Sequence, residues 1–337
     1  MFRRQEIGVD LGTTSVRIFV KGQGIVLREP AVVALAPDTN EIRAVGHEAV
    51  AMSENAPTDT VLVQPMRGGM VTDYTLTETL LKMLISRVGP KYGRMSQPDI
   101  ALCTPSSLTE AETRAALRVS RELARHLFLV EKPLAAALGA GIDVQDSTGS
   151  MLVRVGGGRT EIAILSHKEV IAAESLPVAG GEFDEAIVRM ARRKHNLLLG
   201  GRTAENVKLE LGTAIVSSAE VAQTKVVRGR DLNTGTPKTV SIRAEEVEEA
   251  LRDPLRKLAQ SIRRVLEAAS PEHTAEVISK GIVLCGGGAL LRHLEAALAQ
   301  QLGLSVTLAD DPADCAVFGL GRVLEHPSLR DAFLHTS

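Results

Sequence analysis

Three short segments of the chain carry glycine or small hydroxyl residues directly after an apolar run: Asp10-Leu11-Gly12-Thr13-Thr14-Ser15, Arg154-Val155-Gly156-Gly157-Gly158 and Cys285-Gly286-Gly287-Gly288-Ala289. A phosphate needs backbone N–H donors that approach closely, and only residues with little or no side chain permit that approach. One such turn is weak evidence. Three of them, each ending a strand, point to a nucleotide cleft. Glu205 and Lys208, in the run Glu205-Asn206-Val207-Lys208, lie one helical turn apart. They could grip a ribose and base edge, or form an exposed ion pair, and spacing alone leaves both readings open.

The elements that must position these turns are legible from periodicity. Ile7 to Val20 reads as strand, turn and returning strand, with Val16, Ile18 and Val20 alternating with Arg17 and Phe19. Gly22 and Gly24 turn the chain into Ile25 to Leu27, and Ala31 to Ala36 is expected to continue the same sheet. Thr75 with Glu78 and Thr109 with Glu112 have capping-box spacing and predict helices to about Val88 and about Arg125. Between them Asp99 to Thr104 reads as a strand. Phe128 to Glu131 is another, and Pro133 suits the first turn of an alanine-rich helix.

From Ser150 the pattern restarts with strands Met151 to Val155, Thr160 to Leu165 and Val170 to Ser175. The repeat implies a duplicated unit and two lobes facing one cleft. The boundaries expected are 1–147, with a small inserted subdomain at about 31–75, and 148–337, with an insert at about 182–247. Further helices are expected at Glu182 to His195, Thr203 to Thr213, a long one from Ala244 with a bend at Pro254, and Ala289 to Leu302, the last fed directly by the third turn. A hairpin is expected through Thr234-Gly235-Thr236-Pro237.

Bulk composition narrows the class. The chain has 337 residues, 44% of them hydrophobic, enough for two medium cores. Its 39 basic residues nearly cancel 41 acidic ones, so no global field favours nucleic acid. Cys103, Cys285 and Cys315 are far apart and read as buried reduced thiols, which points to a reducing, cytoplasmic setting. No apolar run approaches the roughly 18 residues of a spanning helix. Met1-Phe2-Arg3-Arg4 lacks a signal-peptide core.

Together, Gly8-Val9-Asp10-Leu11-Gly12-Thr13, Val20-Lys21-Gly22-Gln23-Gly24-Ile25-Val26-Leu27, Arg202-Thr203-Ala204-Glu205, Arg228-Gly229-Arg230-Asp231-Leu232 and Gly281-Ile282-Val283-Leu284-Cys285-Gly286-Gly287-Gly288-Ala289-Leu290-Leu291 resemble the MreB/Mbl family of bacterial actin-like proteins over essentially the whole chain. The resemblance implies an α/β actin-like fold of two RNase-H-like lobes around a central nucleotide cleft. It implies ATP as ligand, held by Asp10, Gly12, Thr13, Thr14, Ser15, Gly156, Gly157, Gly158, Glu205, Asn206, Val207, Lys208, Gly286, Gly287, Gly288 and Ala289, with magnesium bound to Asp10 through water if the metal binds. It also implies filaments that act with the cell-wall elongation machinery at the membrane.

The departures from the family pattern fall on its catalytic acids. Arg154 stands where the family has aspartate, and Lys132 where it has the second of two glutamates, the first being matched by Glu131. The formal charge near the site rises by about four units, and neither base can orient a water for attack on phosphorus. Hydrolysis is therefore expected to be weak or absent. Three arrangements are open: Arg154 and Lys132 pair with phosphates in place of magnesium, Arg154 pairs with Asp10 and closes an empty cleft, or both side chains swing into solvent. Ser15, Gly68 and Glu182 also depart from the usual asparagine, aspartate and aspartate. Arg94 in Gly93-Arg94-Met95-Ser96 weakens a loop that resembles the family's membrane contact. The expectation is a filament subunit or modifier, self-associating or co-assembling with MreB-type relatives. The rivals are an active ATPase in which Glu131 positions water and a sugar- or acetate-kinase-like phosphotransferase, against which Arg154 argues. A chaperone of the Hsp70 type is disfavoured, since the chain stops soon after the last cleft helix.

Overall fold

The computed structural model describes residues 5–56, 58–88, 97–105, 123–326, 328–329 and 335–336. The chain separates into two compact units, one made of 1–147, 165–170 and 314–337, the other of 148–164 and 171–313.

In the first unit, β1 (Glu6–Leu11), β2 (Ser15–Val20) and β3 (Gly24–Pro30) form an antiparallel meander, with Asp10 opposite Arg17 and Arg17 opposite Arg28. The next segment does not extend this sheet. β4 (Val33–Leu35), β5 (Ile42–Val45) and β6 (Val61–Val63) form their own three-stranded sheet in the order β5-β4-β6, because the chain breaks away after Pro30. Helix α1 (His47–Asn55) packs on that small sheet, burying Ala49 beside Val32, Ala34 and Ala44. A two-stranded ribbon, β7 (Met66–Arg67) and β8 (Met70–Val71), precedes α2 (Tyr74–Val88). The cap of α2 is Asp73, whose Oδ1 accepts from the Leu76 N–H at 2.9 Å, two residues before the expected cap Thr75. Glu78 pairs instead with Lys82, one turn along the helix.

β9 (Asp99–Thr104) and β10 (His126–Glu131) add to β1 in parallel. The sheet order is His335–Thr336, β10, β9, β1, β2, β3. Central strands buried on both faces read as continuous apolar runs, and β1 and β9 do. The helix expected from Thr109 lies outside the described residues as far as 122, and residues 123–125 are already turn and bend. The Gly93 to Ser96 loop and the Phe2-Arg3-Arg4 terminus also lie outside them. Helix α3 (Lys132–Gly139) starts with Pro133 in its first turn, as expected. It crosses the helix Cys315–Glu325 at Gly139 and Gly319, where a Cβ would overlap the backbone carbonyls of Cys315 and Ala135.

The second unit repeats the plan. β11 (Ser150–Val155), β12 (Thr160–Ser166) and β13 (Glu169–Leu176) continue through β17 (Ile282–Cys285) and β18 (Val306–Leu308) in the order β13-β12-β11-β17-β18. Helix α4 (Gly180–His195), β14 (Leu197–Leu198), α5 (Gly201–Leu211), β15 (Thr224–Asp231), β16 (Pro237–Arg243) and α6 (Ala244–Ala268) lie between β13 and β17, followed by α7 (Pro271–Lys280). α6 runs through Pro254 and buries Val247, Leu251, Leu255, Leu258 and Ile262 against Phe183 and Ile187 of α4. The helix expected over Ala289 to Leu302 is broken. A 3₁₀ turn, Gly287–Leu290, comes first, His293 adopts φ 60°, and α8 (Leu294–Leu302) starts only there.

Candidate functional site

The first turn is closed by the Gly12 N–H, which donates to the Ser15 carbonyl at 3.0 Å. A Cβ on Gly12 would stand 2.9 Å from that oxygen, so glycine is required by the close approach. Asp10, at the end of β1, is 1% exposed. Lys132 opens α3 just beyond the end of β10, and its Nζ lies 3.0 Å from Asp10 Oδ1 while donating to the Leu11 carbonyl at 3.0 Å. The ammonium is itself buried, at 7% exposure for the residue. Two of the turn's three hydroxyl oxygens accept hydrogen bonds from within the unit. Thr13 Oγ1 accepts from the Gly69 N–H at 2.9 Å, and Ser15 Oγ from Arg17 Nη1 at 2.6 Å. Thr14 is exposed, and its carbonyl accepts from the Ala31 N–H at 3.0 Å.

The second turn has the same backbone closure, the Gly156 N–H donating to the Arg159 carbonyl at 2.9 Å. Arg154, at the position matching Asp10, places Nη1 3.2 Å from Glu161 Oε2 on β12, with 12% and 5% of the two side chains exposed. The carbonyls of Gly156 and Gly157 accept from the Gly180 and Gly181 N–H groups, at 3.0 and 2.7 Å, so the first turn of α4 is seated on this loop. Lys208 of α5 donates to the Gly180 carbonyl at 3.1 Å and to Asp184 Oδ2 at 2.9 Å. Burial pushes the Asp184 carboxyl up to about 6, outweighing the pull of Lys208 in the opposite direction.

The third turn packs onto the second. Gly286, at φ 89°, has no room for a Cβ beside the Val155 carbonyl, and a Cβ on Gly288 would lie 2.6 Å from Val155 Cγ1 and 3.0 Å from the Gly156 oxygen. β11 and β17 run parallel with Arg154 opposite Cys285, which brings the two glycine runs to the same end of the sheet. The expected helix N-terminus at this turn is absent, because the 3₁₀ turn intervenes.

The structure thus gathers Asp10, Gly12, Thr13, Ser15 and Lys132 in the first unit, and Arg154, Gly156, Gly157, Lys208 and Gly286 to Gly288 in the second. Gly158 completes the second loop, and Ala289 is buried behind the third. Glu205 and Asn206 are exposed on α5, whereas Val207 is fully buried in the core of its unit. Lys208 is committed to Asp184, a pairing that neither reading of the Glu205–Lys208 spacing contained. Nor do the two bases swing into solvent. Glu131 precedes α3 half-buried, and its side chain makes no capping hydrogen bond. Sequence reasoning passed over Arg17, Gly69, Glu161, Asp184 and Asp314. Of these, Glu161 had a signal: it sits seven residues after Arg154, as Arg17 does after Asp10.

A family model described as MreB/Mbl protein matches residues 4–331. The chain is 38% identical over 327 residues to the cell shape-determining protein Mbl of Bacillus subtilis, covering 97% of each. It is 40% identical over 326 residues to the cell shape-determining protein MreB of Escherichia coli K12, covering 95% of this chain and 93% of that one. Among solved structures, MreB5 of Spiroplasma citri bound to ADP matches with a TM-score of 0.89 and 32% identity over 98% of both chains. The MamK double helical filament matches with a TM-score of 0.81 at 22% identity over 96% of this chain and 99% of that one, a likeness that bears on the fold alone. The glycine turns, the repeated strand order and these matches agree that the chain belongs to the MreB/Mbl family and has the actin-like fold.

Proposed function

We propose that this chain is a cytoskeletal filament subunit of the MreB/Mbl type that binds ATP through its glycine turns and hydrolyses it weakly or not at all. The observation that carries the reading is the Lys132 ammonium, buried and 3.0 Å from Asp10. Asp10 is the carboxylate that would hold magnesium through water, and it already faces a positive charge at contact distance. A divalent ion brought to the same carboxylate meets that ammonium, so the residues present do not fit the metal, and no step is routed through one. Lys132 lies 3.0 Å from Asp10 Oδ1, donates to the Leu11 carbonyl, and as an ammonium has no lone pair to take a proton from an attacking water. Arg154, at the other replaced acid, is paired with Glu161 and is equally unable to act as a base.

Nucleotide binding is supported by one relative of the same family, MreB5 of Spiroplasma citri, in structures bound to ADP and to AMPPNP. Self-association, alone or with MreB-type relatives, is the remaining part of the proposal, as are action with the cell-wall elongation machinery and a weak contact with the cytoplasmic face of the membrane. The test is ATP affinity with and without magnesium, together with phosphate release, for the wild type and for the double variant Lys132→Glu, Arg154→Asp. Wild type is expected to bind ATP with little dependence on magnesium and to release no phosphate above background. The double variant is expected to become magnesium-dependent and to gain turnover. Wild-type turnover abolished by Glu131→Ala would overturn the reading in favour of an active ATPase.

A further inference from the structure

The cross-strand neighbours Arg17 on β2 and Arg28 on β3 stand directly opposite each other. Two guanidinium groups in that register repel, and the pair is tolerable only with an anion between them. Asp314, immediately before the helix Cys315–Glu325, supplies it. Its Oδ1 accepts from Arg17 Nε at 2.6 Å, and its Oδ2 accepts from Arg28 Nε and Nη2 at 2.9 and 2.7 Å. Asp314 makes no capping hydrogen bond to its own helix, so its carboxylate serves the arginines.

Arg17 is thereby fixed at one edge of its planar group, which aims the other edge. Nη1 donates to Ser15 Oγ at 2.6 Å. A hydroxyl has one proton and two lone pairs, and once a lone pair is taken by a donor that has no acceptor capacity, the hydroxyl proton must go elsewhere. Thr13 is set in the same way by the Gly69 N–H. Of the turn's three hydroxyls, those of Thr13 and Ser15 therefore each have a proton directed away from the donor they accept from.

We infer that Arg17, clamped by Asp314, is a positioning residue that presets the Ser15 hydroxyl to donate to a phosphate oxygen of the bound nucleotide. The inference rests on the nucleotide-binding reading above. It assigns Arg17 no contact with the phosphate and no part in bond breaking. Lysine at this position could reach Asp314 or Ser15 but could not serve both, since its three protons share one nitrogen.

The experiment is a double-mutant cycle on ATP affinity in magnesium-free buffer with Ser15→Ala, Arg17→Lys, Arg17→Ala and each Arg17 variant combined with Ser15→Ala, with thermal unfolding recorded for every protein. Loss of one oriented hydrogen bond weakens binding on the order of fivefold. Ser15→Ala and Arg17→Lys are each expected to weaken ATP by about that factor, and the combination no more than either alone. If Arg17→Ala does not fold, the lysine cycle carries the test. Fold-changes that multiply in the combined variant, or unchanged affinity in Ser15→Ala, overturn the inference and leave the nucleotide reading standing. A wild type that binds no ATP sinks both.

Discussion

The two strand-ending turns, Asp10 to Arg17 in the first unit and Arg154 to Glu161 in the second, share one backbone and carry opposite charge. Each is closed by a glycine N–H donating to the carbonyl three residues on, at 3.0 and 2.9 Å. Each begins with an ionised side chain and has an ion of opposite sign seven residues later, acid then base in one and base then acid in the other. The counter-charges nevertheless come from different places. Arg154 is answered from its own returning strand by Glu161. Asp10 has the Lys132 ammonium of a distant helix against it, and Arg17 is drawn off to Asp314 and Ser15. Backbone geometry is thus dictated by the need for glycine, whereas charge at the turn is set by whichever long side chain the surrounding fold delivers.

The sharpest way to break the comparison is to remove each counter-charge. Lys132→Ala takes an ammonium from beside a carboxylate that is 1% exposed, and the loss of unfolding free energy is expected at about 3–5 kcal/mol. Glu161→Ala should cost less, about 1–3 kcal/mol, because Arg154 retains some exposure and a long stem that can carry its charge toward water. Denaturant unfolding of both variants measures the difference. Equal losses would mean that the turns are balanced alike after all. The backbone half of the comparison is sharpened by Gly12→Ala and Gly156→Ala. Their added Cβ atoms would stand 2.9 and 2.7 Å from the carbonyls that close the turns, so both should lose about 1–3 kcal/mol, and by similar amounts. A loss confined to one of them would show that the two closures are not mechanically equivalent.

How much of this was written in the sequence divides along the same line. Strand limits such as Asp99 to Thr104, the two hairpin-like turns and Pro133 at the start of α3 follow from local apolar runs and local backbone preferences, and these the residues state directly. The break before α8 does not follow from them. The apolar pattern from Ala289 to Leu302 runs through His293 without a glycine or proline to mark its left-handed backbone. The small sheet β5-β4-β6 departs from the expected single sheet for a related reason, since β-periodicity shows that a segment is a strand and not which sheet it joins. Side-chain partners were the least legible. Lys132 and Arg154 were identified as the decisive residues, but Lys132 meets Asp10 across 122 positions and Arg17 meets Asp314 across 297, distances at which no spacing rule operates.

The second turn also rests on the Lys208–Asp184 ion pair, and it offers the smallest and most specific test. Gly180 N–H supports the Gly156 carbonyl, Lys208 holds the Gly180 carbonyl, and Asp184 holds Lys208. Burial raises the Asp184 carboxyl from 3.8 to about 6. Between those values the folded protein keeps a proton that the unfolded chain has released, so folding is favoured at the acidic end and this contribution is lost as pH rises through 6. Asp184→Asn keeps an oxygen acceptor for Lys208 and removes the titration. Relative to that variant, wild type should be more stable near pH 4 than near pH 7, with the melting-temperature difference moving by on the order of 2–4 °C across the interval and level above it. Thermal unfolding of both proteins from pH 4 to pH 8 reads this directly. A difference that stays flat, or that grows in favour of wild type as pH rises, would mean that the Lys208 ammonium holds Asp184 ionised throughout and that the second turn rests on a fully charged pair.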